Sequence, residues 1–304
     1  MERRRGRGDD RHAVCPRLRT GRADIQRHAF AGPQRIVHNR PGASHDNERY
    51  GQRGRLGPIS ACGEDRLVTD LIPAALTQDL RFTYPDGALA LDGVSLRVDD
   101  GQKVGLVGAN GAGKSTLLLH LNGVLTGEGS VSVFGIPVIK RNLKEVRKRV
   151  GLVFQNPDDQ LFMPTLLDDV AFGPRNMGLS ENDAVAKAMD ALNRLGLPQL
   201  SNRNGYHLSA GQKKRAAIAT VLSMGVPLLA LDEPTGGLDP KNRRELIATL
   251  KTIGGAQIIA THDFGLVREL CGRVVIMSDG KIVAEGAPDA LLCDEELLKT
   301  HGLA

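Results

Sequence analysis

The chain has 304 residues, a formal net charge of +5, 41% hydrophobic residues and only 3% aromatic ones. That length accommodates one large or two small domains with a buried core, no apolar run is long enough to span a bilayer, and no apolar stretch follows the basic N-terminus as a secretory leader requires. The four cysteines, Cys15, Cys62, Cys271 and Cys293, form no C-x-x-C pair and no metal-ligand spacing, which points to reduced, incidental thiols in a cytoplasmic protein.

The charge is unevenly spread. Residues 1–66 hold 15 Arg, no Lys and 8 acids, whereas the remainder holds 25 bases against 27 acids. The basic balance therefore belongs to the first segment, and the rest gives no charge argument for a nucleic-acid partner. Residues 1–72 read as an Arg-rich tail without apolar periodicity, unable to bury enough surface to offset its ordering entropy. Three readings stay open: a tail that binds nucleic acid or anionic lipid, a disordered tail without a role, or a segment translated from upstream of the true start. The change of composition at Val68, Thr69 and Asp70 favours the last and predicts a native start near Val68.

From residue 76 a regular pattern begins. Residues 76–82 and 94–98 alternate apolar and polar side chains, as half-buried strands do, with turn chemistry at Pro85, Asp86 and Gly87 between them. Residues 103–107 form a short apolar strand ending at Gly108. A helix follows from Lys114 to about Asn122, then a glycine-rich turn over 123–129 and strands at 131–134 and 151–154. Residues 156–224 read as mostly helical. Ser180 and Asp183 cap one helix, Ala184, Val185, Ala188, Ala191, Leu192 and Leu195 recur at its period, and Gly196 ends it. A second helix starts after Ser209. Next come a strand at 228–231, a helix near 242–252, a strand at 257–260, a helix near 264–270 and a strand at 274–277. Strand–helix alternation of this kind predicts a mainly parallel sheet flanked by helices, with the helical block inserted into it.

The densest chemistry lies in Gly108, Ala109, Asn110, Gly111, Ala112, Gly113, Lys114, Ser115 and Thr116, which fit G-x-x-x-x-G-K-[ST]. Glycines let the backbone wrap closely and point N–H groups at phosphate oxygens, and the helix that follows presents its positive end to the same anion. Lys114 supplies a charge for the β- and γ-phosphates, Ser115 a hydroxyl for Mg²⁺, and Thr116 a bond to the α-phosphate. The apolar strand at 228–231 ends in Asp232 and Glu233. In open α/β sheets that edge is where ligands bind. Asp232 suits Mg²⁺ through water, and Glu233 suits the general base that activates the attacking water.

A third element separates the many phosphate-loop enzymes. Leu208, Ser209, Ala210, Gly211 and Gln212 open a helix ahead of the Asp232–Glu233 strand. They resemble the Leu-Ser-Gly-Gly-Gln signature of ATP-binding cassette proteins, with Ala210 in place of the first glycine, a change that a negative φ would tolerate. The other pieces of that family fall in order. Gln155 sits at its glutamine loop, Gly236, Gly237, Leu238 and Asp239 match its D-loop, and His262 follows a strand as its switch histidine does. Tyr84 fits the aromatic that stacks on adenine, although its plainer reading is a residue at the edge of the core. The resemblance covers about residues 76–304. It implies an α/β fold: a P-loop NTPase core with a parallel sheet, an N-terminal antiparallel β subdomain and an inserted helical subdomain at about 156–224, within a cassette at 73–304. It also implies ATP hydrolysis with Mg²⁺ held by Ser115, Gln155 and Asp232, and catalysis by Glu233, His262 and Gln155. Two cassettes pair head to tail, so Ser209, Ala210, Gly211 and Gln212 act in trans on the partner's nucleotide.

The text around Gln155 (Phe154, Gln155, Asn156, Pro157, Asp158, Asp159, Gln160, Leu161, Phe162) resembles the ATPases of energy-coupling factor importers. So do residues 82–87 and 211–215. Residues 119–123 and 162–165 look most like the cobalt and nickel branch. The implied partners are a second cassette, identical or different, a transmembrane coupling subunit and a substrate-binding membrane subunit, at the cytoplasmic face of the membrane. Phe162 and Met163 either contact a membrane-subunit coupling helix or simply pack the helical subdomain. Vitamin uptake is the alternative cargo. A soluble cassette ATPase of DNA repair or translation fits less well, because this chain has one cassette and a short helical block. A regulatory module without turnover is set against by intact Lys114, Glu233 and His262.

Overall fold

A computed structural model describes residues 72–303. The tail read at 1–72 and the proposed start near Val68 lie outside the described residues, apart from Ile72. Strands β1 (Ala75–Thr83) and β2 (Leu89–Val98) pair antiparallel. The order is then β3 (Lys103–Gly108), α1 (Lys114–Leu121), β4 (Glu128–Val133), β5 (Ile136–Pro137), α2 (Leu143–Val146) and β6 (Val150–Val153). Three helices follow: α3 (Leu166–Asn176), α4 (Glu181–Arg194) and α5 (Ala210–Leu222). The chain ends with β7 (Leu228–Asp232), α6 (Pro240–Thr252), β8 (Ala256–Ala260), α7 (Phe264–Leu270), β9 (Arg273–Ser278), β10 (Lys281–Gly286), α8 (Pro288–Leu291) and α9 (Glu295–Thr300).

Two sheets result. An antiparallel one has the order β2-β1-β4-β5, and the larger has the order β10-β9-β3-β8-β7-β6. In the larger sheet β6, β7, β8, β3 and β9 run parallel, and β10 is an antiparallel edge. The α/β class, the antiparallel β subdomain and the inserted helices are thus as the sequence leads one to expect. Strands β7 and β8 are buried at every position, which explains why they read as apolar runs rather than alternating ones. Between the sheets, Leu117, Leu118 and Leu121 of α1 share one core with Leu80, Leu91 and Val94 and with Leu106 and Ile258. Each fully buried leucine contributes roughly 1.5–3 kcal/mol, so α1 is clamped from both sides and the loop before it has a rigid base.

Helix α3 does not emerge from the sequence as a separate element, because Gly173 and Pro174 lie inside it. Proline has no N–H to donate to the carbonyl four residues back. Here that carbonyl, of Val170, accepts a hydrogen bond from Ser223 Oγ at 2.7 Å instead. The expected caps are present: Ser180 Oγ accepts from Asp183 N, and Gly196 follows α4 with a φ of 69°.

Candidate functional site

The phosphate-loop residues connect β3 to α1. The loop is closed by Ala112 N donating to Ala109 O at 3.1 Å, and Gly113 is the N-cap of α1 with a φ of 100°. A Cβ at Gly113 would lie 2.5 Å from Ala90 O, so the position has room for no side chain. Asn110 and Gly111 are exposed at the tip. Lys114 folds back over the loop, its Nζ donating to Gly108 O at 2.6 Å and Ala109 O at 3.0 Å. Thr116 meets Tyr84, with Oγ1 and the phenol oxygen 3.0 Å apart. The Tyr84 ring packs edge-on against Phe82, which packs edge-on against His120.

The acid pair stands at the C-terminal end of β7, next to that loop. The Ser115 hydroxyl faces the Asp232 carboxyl. Burial pushes its carboxyl above the usual aspartate range, Ser115 opposes the shift, and the Glu233 charge adds to it. Glu233 has a φ of 46°, a left-handed conformation that a non-glycine residue rarely adopts. Its carboxylate accepts from Thr261 Oγ1 at 3.1 Å on one oxygen and meets His262 Nδ1 at 2.9 Å on the other. Lys114, Lys214, Asp232 and Glu233 are each under 9% exposed. Burying charge is costly unless it is paired, and here two ammonium groups balance two carboxylates. Burial lowers the pKa of both lysines, and the two acids oppose the shift.

Gln155 is exposed just beyond β6. Its carbonyl and that of Glu233 are both bonded by Lys214 Nζ, at 2.5 and 2.8 Å. The helix that carries Lys214, α5, opens with a capping box: Ser209 Oγ accepts from Gln212 N at 3.3 Å, and Gln212 Oε1 accepts from Ser209 N at 2.9 Å. Ala210 is not among the described non-glycine residues with positive φ, so its methyl is tolerated there. Asp239 caps α6 by accepting from Lys241 N and Asn242 N. A Cβ on Gly211 would lie 2.9 Å from Asn242 Cγ, so the signature and D-loop helix starts abut.

The family model for ABC transporters matches residues 91–236, which include the phosphate loop, Gln155, residues 209–212 and the acid pair. The energy-coupling factor transporter ATP-binding protein EcfA of Methanocaldococcus jannaschii is 46% identical over 233 residues, covering 75% of this chain and 84% of that protein. The chain belongs to the ABC transporter ATP-binding family. Among solved structures, CbiO1 of Clostridium perfringens, described as part of the ABC transporter complex CbiONQ, is similar with a TM-score of 0.66 and 36% identity, covering 76% of this chain and 95% of that one. A dimeric ATP-binding cassette bound to ADP and phosphate after hydrolysis is similar with a TM-score of 0.65 and 27% identity, covering 70% and 98%.

This cassette is therefore an ATPase whose hydrolysis is coupled to transport. Its structure gathers Lys114, Ser115, Asp232, Glu233 and His262 at one sheet edge, with Tyr84 on Thr116 beside them. The signature residues 209–212 make their hydrogen bonds within their own helix start. Two contributors escape the sequence reading. Thr261 holds the second Glu233 oxygen, but a threonine at a strand end carries no distinguishing signal. Lys214 had one: it occupies the buried stripe of α5 with Ala217, Ile218 and Val221, where a lysine is out of place.

Proposed function

We propose that this cassette is the ATP-hydrolysing motor of an energy-coupling factor importer, working at the cytoplasmic face of a membrane as a peripheral subunit. The observation that carries the reading is the Glu233 carboxylate, buried at the end of β7 and held by Thr261 and His262 beside Asp232 and Lys114. In this reading residues 108–116 cradle the ATP phosphates, Tyr84 stacks on adenine, and Lys114 leaves its loop carbonyls for the β- and γ-phosphates. Ser115 and Asp232 offer hard oxygen donors facing one another, and with Gln155 they fit Mg²⁺. Bound there, Mg²⁺ neutralises charge developing on the phosphates. Glu233 accepts the proton of the attacking water, and His262 orients the carboxylate and the γ-phosphate.

A second cassette supplies Ser209, Ala210, Gly211 and Gln212 in trans, and Asp239 lies at the seam. The dimeric state of the ADP-bound cassette it resembles supports this pairing. The cassette spans 73–304, with its helical subdomain at about 156–224, and couples to a transmembrane subunit and a substrate-binding membrane subunit. Similarity to EcfA and to a component of CbiONQ supports that partnership. Residues 119–123 and 162–165 favour cobalt or nickel as cargo over a vitamin. Among the described residues no helix is long and apolar enough to cross a membrane.

The test is purification of a tagged chain from detergent-solubilised membranes, with the co-purifying subunits identified and labelled cobalt, nickel and vitamin uptake measured. Recovery with membrane subunits and loss of metal uptake on deleting the gene support the proposal. A chain that purifies without membrane subunits contradicts it, and loss of vitamin uptake alone contradicts the metal cargo.

A further inference from the structure

We infer that Lys214 is a positioning residue for hydrolysis: its single buried ammonium ties the Gln155 segment and the Glu233 turn to the signature helix. This rests on the reading of Glu233 as the general base. Nζ reaches two carbonyls that lie 59 and 19 residues away in the chain, Gln155 O at 2.5 Å and Glu233 O at 2.8 Å. Neither is a carboxylate, so the two bonds themselves hold main chain, while the charge is balanced by Asp232 and Glu233 without a direct bond to either. Charged donors make shorter and stronger hydrogen bonds than neutral ones. The residue is 7% exposed, and its neighbours on the same stripe, Ala217, Ile218 and Val221, are apolar. An aliphatic side chain would pack there without the desolvation cost of an ammonium. The presence of a charge is explained by what it holds.

What it holds is the strained residue. Glu233 keeps its left-handed backbone through Glu233 N donating to Ala260 O at 2.8 Å and through two donors to its carbonyl, Lys214 Nζ and Gly236 N, the latter at 3.2 Å. That backbone directs the carboxylate at Thr261 and His262. Losing Lys214 leaves the Glu233 carbonyl with one donor and removes the link to Gln155. The helix bearing Lys214 starts at the signature, so a shift of Ser209 or Gly211 on meeting a partner's nucleotide reaches both the base and the glutamine segment through one side chain. A misplacement of about 1 Å costs about 10²-fold in rate.

The experiment compares Lys214→Met and Lys214→Arg in the full chain, in the complex with which it co-purifies, alone and combined with Glu233→Gln. Melting temperature, ATP affinity and single-turnover rate are measured for each. Lys214→Met is expected to lower kcat about 10–10²-fold, with ATP affinity within about threefold of wild type, and Lys214→Arg to restore part of the rate. In the Glu233→Gln background, Lys214→Met should make no further difference, because both changes act through one group. If Lys214→Met does not fold, Lys214→Gln, which keeps a donor at shorter reach, is read the same way. Wild-type turnover, a proportional loss of affinity and rate, or an equal loss in the Glu233→Gln background each overturns the inference. Turnover lost in Glu233→Gln but kept in Lys214→Met sinks Lys214 alone, whereas turnover kept in Glu233→Gln sinks the base.

Discussion

His262 Nδ1 lies 2.9 Å from Glu233 Oε1, joining a side chain that is 70% exposed to one that is 9% exposed. An ionised carboxylate can only accept, so Nδ1 carries the proton in this pair. Replacing His262 with alanine opens no interior cavity and should leave stability within about 0.5 kcal/mol. Turnover should fall by about 10²-fold or more, since the carboxylate loses the partner that aims it. Steady-state ATPase assays and thermal melts of the same preparation check both halves, and a large drop in melting temperature would point to a structural role.

Gly111 and Gly113 separate two kinds of glycine requirement in one loop. Both have positive φ, 86° and 100°, but a Cβ meets nothing within 4 Å at Gly111 and meets Ala90 O at 2.5 Å at Gly113. Gly111→Ala should cost about 1–2 kcal/mol of left-handed strain. Gly113→Ala should cost more and abolish nucleotide binding. Denaturant melts and ATP-binding titrations give the order, which equal losses at the two positions would contradict.

Ala210 departs from the glycine that the signature it resembles carries, at the first position of α5. Since its φ is not positive, nothing in the backbone demands glycine. Ala210→Gly is expected to destabilise by about 0.5–1 kcal/mol through helix entropy and to change turnover by less than about threefold. A tenfold rise in turnover would mean that the methyl obstructs the partner's nucleotide.

His120 is buried, with Nδ1 2.7 Å from Thr116 O, and burial lowers its pKa from 6.5, the carbonyl only partly opposing. The unfolded chain therefore takes up a proton below about pH 6.5 that the folded chain refuses. Stability from His120 is complete above that pH and declines as pH falls toward the lowered folded value. Melting temperature should drop between about pH 7.5 and about pH 5.5, and His120→Gln should remove that part of the drop.

Much of this architecture was legible because its signals are local. The phosphate loop, the N-cap at Ser180, the helix start after Ser209 and the apolar strand before Asp232 each follow from short-range rules. Helix α7 falls at Phe264–Leu270, where its apolar spacing places it. What was lost is instructive. Helix α3 was hidden because Pro174 reads as a breaker, and a hydroxyl from Ser223, 53 residues beyond Val170, satisfies the Val170 carbonyl that proline leaves open. The hairpin of β9 and β10 went unread although Asp279-Gly280, with φ of 48° and 75°, is a strong turn signal. At the site, the residue types were readable but not their mutual hold. Tyr84 against Thr116, Thr261 against Glu233 and Lys214 across two carbonyls are all contacts between distant segments, which no spacing rule encodes.

The most direct test of the account is Glu233→Gln, which keeps the shape of the side chain and removes its basicity. Binding of ATP with Mg²⁺ should remain within about threefold of wild type, while hydrolysis falls by roughly 10²–10⁴-fold. Wild-type hydrolysis in that variant would contradict the assignment of Glu233 and, with it, the mechanism proposed for this site.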